Sequence, residues 1–134
     1  MADNVKIKET GIEEALEVQE EIVEFSEKKS KEYFEKRYAE KEKLIIVADI
    51  DGQSAGYSVW YDKFGSDTIY LWMAGVDPKY RRRGIFKSMF SYGSEWAKSR
   101  GYKKVRIKTR NNCREMLAFL VANGFNLINV ISYP

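Results

Sequence analysis

The chain has no histidine, one cysteine (Cys113) and two prolines among its 134 residues. Without histidine, acid–base work near neutral pH falls to carboxylates, tyrosine, cysteine, lysine, backbone groups or water. A lone thiol excludes an intrachain disulfide. The same scarcity of nitrogen and sulfur ligands argues against zinc, and no metal is expected. No run of about 18 apolar residues occurs, so no membrane-spanning helix is expected. Residues 1–8 are polar and charged and lack the apolar stretch of a secretory signal. With the single cysteine, this leads to the expectation of a cytoplasmic protein. No Pro/Gly/Ser-rich linker, repeat or low-complexity segment interrupts the chain, so residues 1–134 are expected to form a single domain.

What is present is ordinary in amount and uneven in placement. The hydrophobic fraction is 44%, enough for a globular core, and the net charge is +3. Acidic residues gather at Glu13, Glu14, Glu17, Glu20, Glu21 and Glu24. Basic ones gather at Lys79, Arg81, Arg82, Arg83 and Lys87. A basic cluster can bind nucleic acid, but this one sits at one helix start in a chain of low net charge. No nucleic-acid partner is expected.

Apolar periodicity predicts a strand over 5–9, an amphipathic helix over 13–26 and a charged helix over 30–40. Strands follow over 44–50 and 54–62, joined by Asp51-Gly52, a hairpin signal because the turn requires positive φ. The strand over 68–76 is apolar on both faces, with Ile69, Leu71 and Met73 on one side and Tyr70, Trp72 and Ala74 on the other. Such a strand is central and covered twice. A helix over 84–99, a strictly alternating strand over 104–110, a helix over 112–123 and a last strand over 125–132 complete the pattern. Hairpins in the middle and βαβ units at the end imply an α/β (α+β) fold. Its sheet should be mixed but mostly antiparallel, with helices on both faces.

The segment Val76-Asp77-Pro78-Lys79-Tyr80-Arg81-Arg82-Arg83-Gly84-Ile85-Phe86-Lys87-Ser88 carries the chemistry. It links a central strand to a helix start. The first turn of a helix has unpaired N–H groups and the positive end of the dipole. A loop bent around that end binds phosphate. Gly84 permits close backbone approach, and the arginines with Lys87 supply further donors.

Val-Asp-Pro-x-Tyr-Arg-x-x-Gly-Ile resembles motif A of the GCN5-related N-acetyltransferases, in which Arg/Gln-x-x-Gly-x-Gly/Ala cradles the CoA pyrophosphate. Arg81, Arg82, Arg83, Gly84, Ile85 and Phe86 occupy its positions. The Asp51-Gly52 hairpin with Gly56, the Gly101-Tyr102 turn and Asn123-Gly124-Phe125 fit the same plan. The resemblance spans about residues 44 to 125. It implies the acyl-CoA N-acyltransferase fold with six to seven strands, acetyl-CoA as co-substrate, and direct transfer of acetyl to an amine. The acceptor class is a small-molecule amine, a peptide N-terminus or a lysine. A homodimer is compatible with it. It also implies that the central strand splays from the next near Ala74 to Val76. Pantetheine would pair there, and a backbone N–H near Val76 would face the thioester oxygen. Lys87 would join the phosphate donors. Two readings stand for Asn112: a bond to the pantetheine arm, or a helix cap.

Three positions depart from the family pattern. Phe86 stands where a second small residue is usual, Leu120 where many members have a tyrosine acid, and residues 68–76 hold no carboxylate base. Tyr70 and Tyr133 are the phenols left as candidate acids, each also readable as a packed aromatic. Two functions stay open: a transferase, or an acyl-CoA sensor with the same fold and no turnover. The glutamates of residues 13–24 either border the acceptor site or form a solvated face.

Overall fold

The computed structural model describes residues 4–22, 30–109, 114–126 and 128. In chain order it contains β1 (Val5–Glu9), α1 (Ile12–Gln19), α2 (Lys31–Tyr38), β2 (Lys43–Ile50), β3 (Gln53–Tyr61), β4 (Thr68–Val76), α3 (Ile85–Ser99), β5 (Lys104–Ile107) and α4 (Arg114–Ala122). The strands form one sheet in the order β1-β2-β3-β4-β5. Neighbours from β1 to β4 are antiparallel, and β5 runs parallel to β4. The antiparallel pairs need only short turns. Asp51 and Gly52, both at positive φ (49° and 82°), make the β2–β3 turn. The parallel pair needs a crossover, which α3 provides.

Helices cover both faces. Ile12, Ala15 and Val18 of α1 and Phe34 and Tyr38 of α2 pack on Ile45, Val47, Tyr57, Val59 and Tyr61. Ile85, Met89 and Ala97 of α3 pack on Leu44, Ile46, Trp60, Ile69 and Leu71 from the other side. Covered twice, β2 and β3 have almost no exposed positions at their centres. Ser30 starts α2 by accepting the Tyr33 N–H at 3.2 Å.

The structure changes three expectations. The sheet has five strands among the described residues, not six to seven. Residues 125, 126 and 128 of the expected last strand pair with no strand, and the rest of that segment lies outside the described residues. The helix expected over 13–26 ends at Gln19, and residues 23–29 lie outside the description. The third change is on β4. Trp60 pairs with Leu71, but Val59 pairs with Met73, so Trp72 is an extra residue, a β-bulge. An inserted residue reverses the alternation beyond it. Met73 therefore joins Trp72 on the α1–α2 side, and Ala74 and Val76 turn to the α3 side.

Candidate functional site

The strand edge, the loop and the helix start that follow one another from β4 to α3 make one continuous site. β5 pairs with β4 only from Thr68↔Lys104 to Leu71↔Ile107. Beyond that, Trp72 to Val76 have no partner on this edge among the described residues. All five are half-buried, whereas Ile69 to Leu71 are buried. The bulge and the early end of β5 together split the sheet. Ala74 and Val76, singled out from the sequence, lie on this open edge.

Asp77 ends the strand. Its N–H donates to Ala55 O at 2.8 Å, and its buried carboxylate accepts the Lys79 N–H at 3.0 Å. Pro78–Tyr80 forms one 3-10 turn. Arg81 folds back, its Nε donating to Val76 O at 3.2 Å, which pins the loop to the strand end. Arg82 and Gly84 both have positive φ (64° and 76°). Gly84 is the N-cap of α3 and brings no side chain to fill the first turn. The first intrahelical bond is Ser88 N–H to Gly84 O at 3.0 Å. The N–H groups of Gly84, Ile85, Phe86 and Lys87 meet no acceptor among the described residues, and the first turn holds no carboxylate. A row of open amides at a positive dipole end is chemically an anion site.

The side chains around that row do not obstruct it. Ile85 is buried against the sheet. The Phe86 ring turns inward, stacking with Phe90 at 6.2 Å and meeting Phe119 edge-on at 5.0 Å. The bulky residue in the motif thus packs in the core. Arg81, Arg82, Arg83 and Lys87 are exposed, and Arg82 reaches Glu115 of α4 at 3.5 Å. Gly56 lets the helix start sit close. A Cβ there would lie 3.0 Å from both Gly75 O and Ile85 Cγ2.

Other sequence candidates sit elsewhere. Tyr70 belongs to the closed half of β4, paired with Arg106. Its ring is buried beside Tyr61 and Phe64, both at 5.8 Å. It lies about 13 Å along the strand from Ala74. Leu120 is buried. Tyr133, Asn112 and Cys113 lie outside the described residues. On α1, Glu13 is bound to Lys31 at 2.8 Å and Glu14 to Lys8 at 3.1 Å. Those lysines, through hydrogen bonds first, hold both carboxyls below the usual range.

One cluster escaped the sequence reading. Arg37 of α2 lies over the Trp72 ring at 5.2 Å, beside Tyr33, Phe34 and Tyr61. The available signal was the four-residue spacing of Tyr33 and Arg37, which puts both on one helix face.

At the β4–α3 junction, a helix start with open amides thus adjoins an unpaired strand edge. The acetyltransferase (GNAT) family model matches residues 12–125, and the chain belongs to that family. No curated protein matches it by sequence. Solved structures resemble it in fold. The ribosomal-protein-S18-alanine N-acetyltransferase from Escherichia coli has a TM-score of 0.79 at 18% identity, covering 93% of this chain and 79% of that one. The aminoglycoside acetyltransferase AAC(6')-Iy with a CoA bisubstrate analogue has 0.77 at 17%, covering 97% of each chain. The PaiA N-acetyltransferase from Thermoplasma acidophilum, in complex with coenzyme A, has 0.74 at 17%, covering 95% and 92%.

Proposed function

We propose that this chain transfers an acetyl group from acetyl-CoA to a primary amine by direct attack. One observation carries the reading: the open amides of Gly84 to Lys87 stand at the end of an unpaired strand edge. The amides and the flanking Arg81 to Arg83 and Lys87 fit a diphosphate. The edge from Trp72 to Val76 fits an extended amide-bearing arm, which adds to it as a further strand would. A backbone N–H of this edge then faces the thioester oxygen and stabilises negative charge developing there.

When bound, acetyl-CoA supplies an activated acyl carbon and a thiolate leaving group. The amine nitrogen bonds to that carbon as the C–S bond breaks, the amine gives up one proton, and CoA leaves as the thiol. An alkylamine with a pKa of about 10.4 is almost wholly protonated at pH 7 and must first lose a proton. Among the described residues the open half of β4 holds no titratable side chain. We assign that proton transfer to water and most of the rate gain to positioning. Tyr70, buried in the closed half, is assigned to packing.

A sensor that binds acyl-CoA without turnover is the second reading, favoured by Leu120 and by the absence of a carboxylate on β4. Thiol release from acetyl-CoA across an amine panel separates the two. Release above the hydrolysis rate establishes transfer. Calorimetric binding with no release leaves the sensor. Gly84→Trp is expected to abolish CoA binding while helical circular dichroism persists, and unchanged affinity would remove the loop from its role.

A further inference from the structure

The split between β4 and β5 opens toward two faces, and one is filled. On the α3 side, Ala74 and Val76 join the core, and Phe86, Phe90 and Phe119 interlock beyond them. An acceptor must therefore come from the α2 side, where Trp72 is half-buried. Two arginines stand over aromatic rings on that side. The Arg37 guanidinium lies 5.2 Å from the Trp72 ring centre. Its Nε donates to Tyr61 Oη at 3.2 Å and its Nη1 to Tyr33 Oη at 3.4 Å, both phenol oxygens. No carboxylate pairs with it among the described residues, and Nη2 meets no acceptor there. On the same face Arg106 of β5 lies 4.9 Å over the Phe64 ring, also without a carboxylate partner among the described residues. Glu13 and Glu14 of α1 are paired with Lys31 and Lys8.

We propose that Arg37, seated on Trp72, recognises the carboxylate of the acceptor, so that the substrate is a small amino acid rather than a polycation. This rests on the transferase reading above. The guanidinium offers a planar pair of donors, which matches a carboxylate in two-pronged fashion. The ring beneath and the two phenols hold it in place before substrate arrives, which reduces the ordering cost of binding. Trp72 stands two residues from Ala74, about 7 Å along the strand. A molecule with its amine and carboxylate a few bonds apart bridges that distance, with its nitrogen at the thioester.

The test compares matched acceptors: α-, β- and γ-amino acids against their primary amides, with acetyl-CoA and the full chain. The amide is the more easily deprotonated amine, so a preference for the acid cannot come from amine reactivity. The expected result is a kcat/KM for the best amino acid about tenfold or more above its amide. Arg37→Gln should collapse this ratio toward one through KM rather than kcat, and Arg37→Lys should restore part of it. A merely structural arginine would change acid and amide alike, with a drop in melting temperature. Equal rates for acid and amide in the unaltered protein, or a ratio untouched by Arg37→Gln, would overturn the proposal. If no amine is acetylated, binding of N-acetyl amino acids to the CoA-saturated protein decides. Binding lost in Arg37→Gln retires catalysis but keeps the carboxylate site, and no binding of the acid over its amide overturns it.

Discussion

At Gly93 the α3 backbone lies directly on the indole of Trp60: a Cβ there would approach the ring to 2.1 Å. Trp60 is fully buried between the sheet and α3 and cannot yield. Gly93→Ala should therefore destabilise the fold, despite alanine's better helix propensity, by about 1–3 kcal/mol or more. Urea midpoints decide this, and a stabilised variant would show that the helix can lift. Lys87 allows a test in which stability and binding move in opposite directions. It lies in the first turn of α3, where a carboxylate favours the helix by about 0.3–1 kcal/mol. Lys87→Glu should leave the melting temperature equal or higher while CoA affinity falls about tenfold, because at the proposed site the new charge would repel the diphosphate. A fall in both would point to misfolding. At Tyr102 the hydroxyl is shared by Glu42 and Asp62, both at 2.8 Å, and burial, followed by these bonds, pushes its pKa up. It stays protonated and ties the start of β2, the end of β3 and the approach to β5 together.

Among the elements, β4 combines two roles. Its first half is a paired core strand, and its second half is an open edge. The edge amides of Trp72 to Val76 should exchange with solvent faster than those of Ile69 to Leu71, and CoA should protect them. Hydrogen exchange with and without CoA measures this. Protection confined to α3 would mean that the arm lies elsewhere. The tethers of α1 have a pH signature. Glu13 and Glu14 have carboxyl pKa values lowered by Lys31 and Lys8, so their contribution is present above the ordinary carboxylate range and is lost as pH falls below it. Acid should loosen α1 first, and Glu13→Gln with Glu14→Gln should flatten that part of the pH profile. Both pairs are exposed, so high salt should mute the effect. The order and type of the elements from β1 to α4 were legible because each repeats its pattern over enough residues. The bulge at Trp72 was not, because an apolar run reads alike in either register. The early end of β5 was equally hidden, since Lys104 to Arg110 alternates whether or not a neighbour is present.

Over the whole molecule, one sheet is the common wall of two cores. Trp60 reports on the α3 side and Trp72 on the α1–α2 side. We expect the chain to unfold as one unit, with tryptophan fluorescence and far-ultraviolet circular dichroism losing signal together. Separated transitions would mean that one helical layer detaches first. Of the proposed site, the run from Arg81 to Lys87 could be singled out in the sequence because glycine, arginine and a helix start are contiguous in the chain. From the sequence alone follow the strand–helix order from β1 to α4, the hairpin at Asp51-Gly52 and the glycine–arginine loop that opens α3, since each depends on residues near one another along the backbone. Only the tertiary structure decided where β4 and β5 part, which face stays open, and that Arg37 of α2 comes to lie on Trp72 of β4. Those depend on register and packing between segments distant in the chain, which no local pattern encodes.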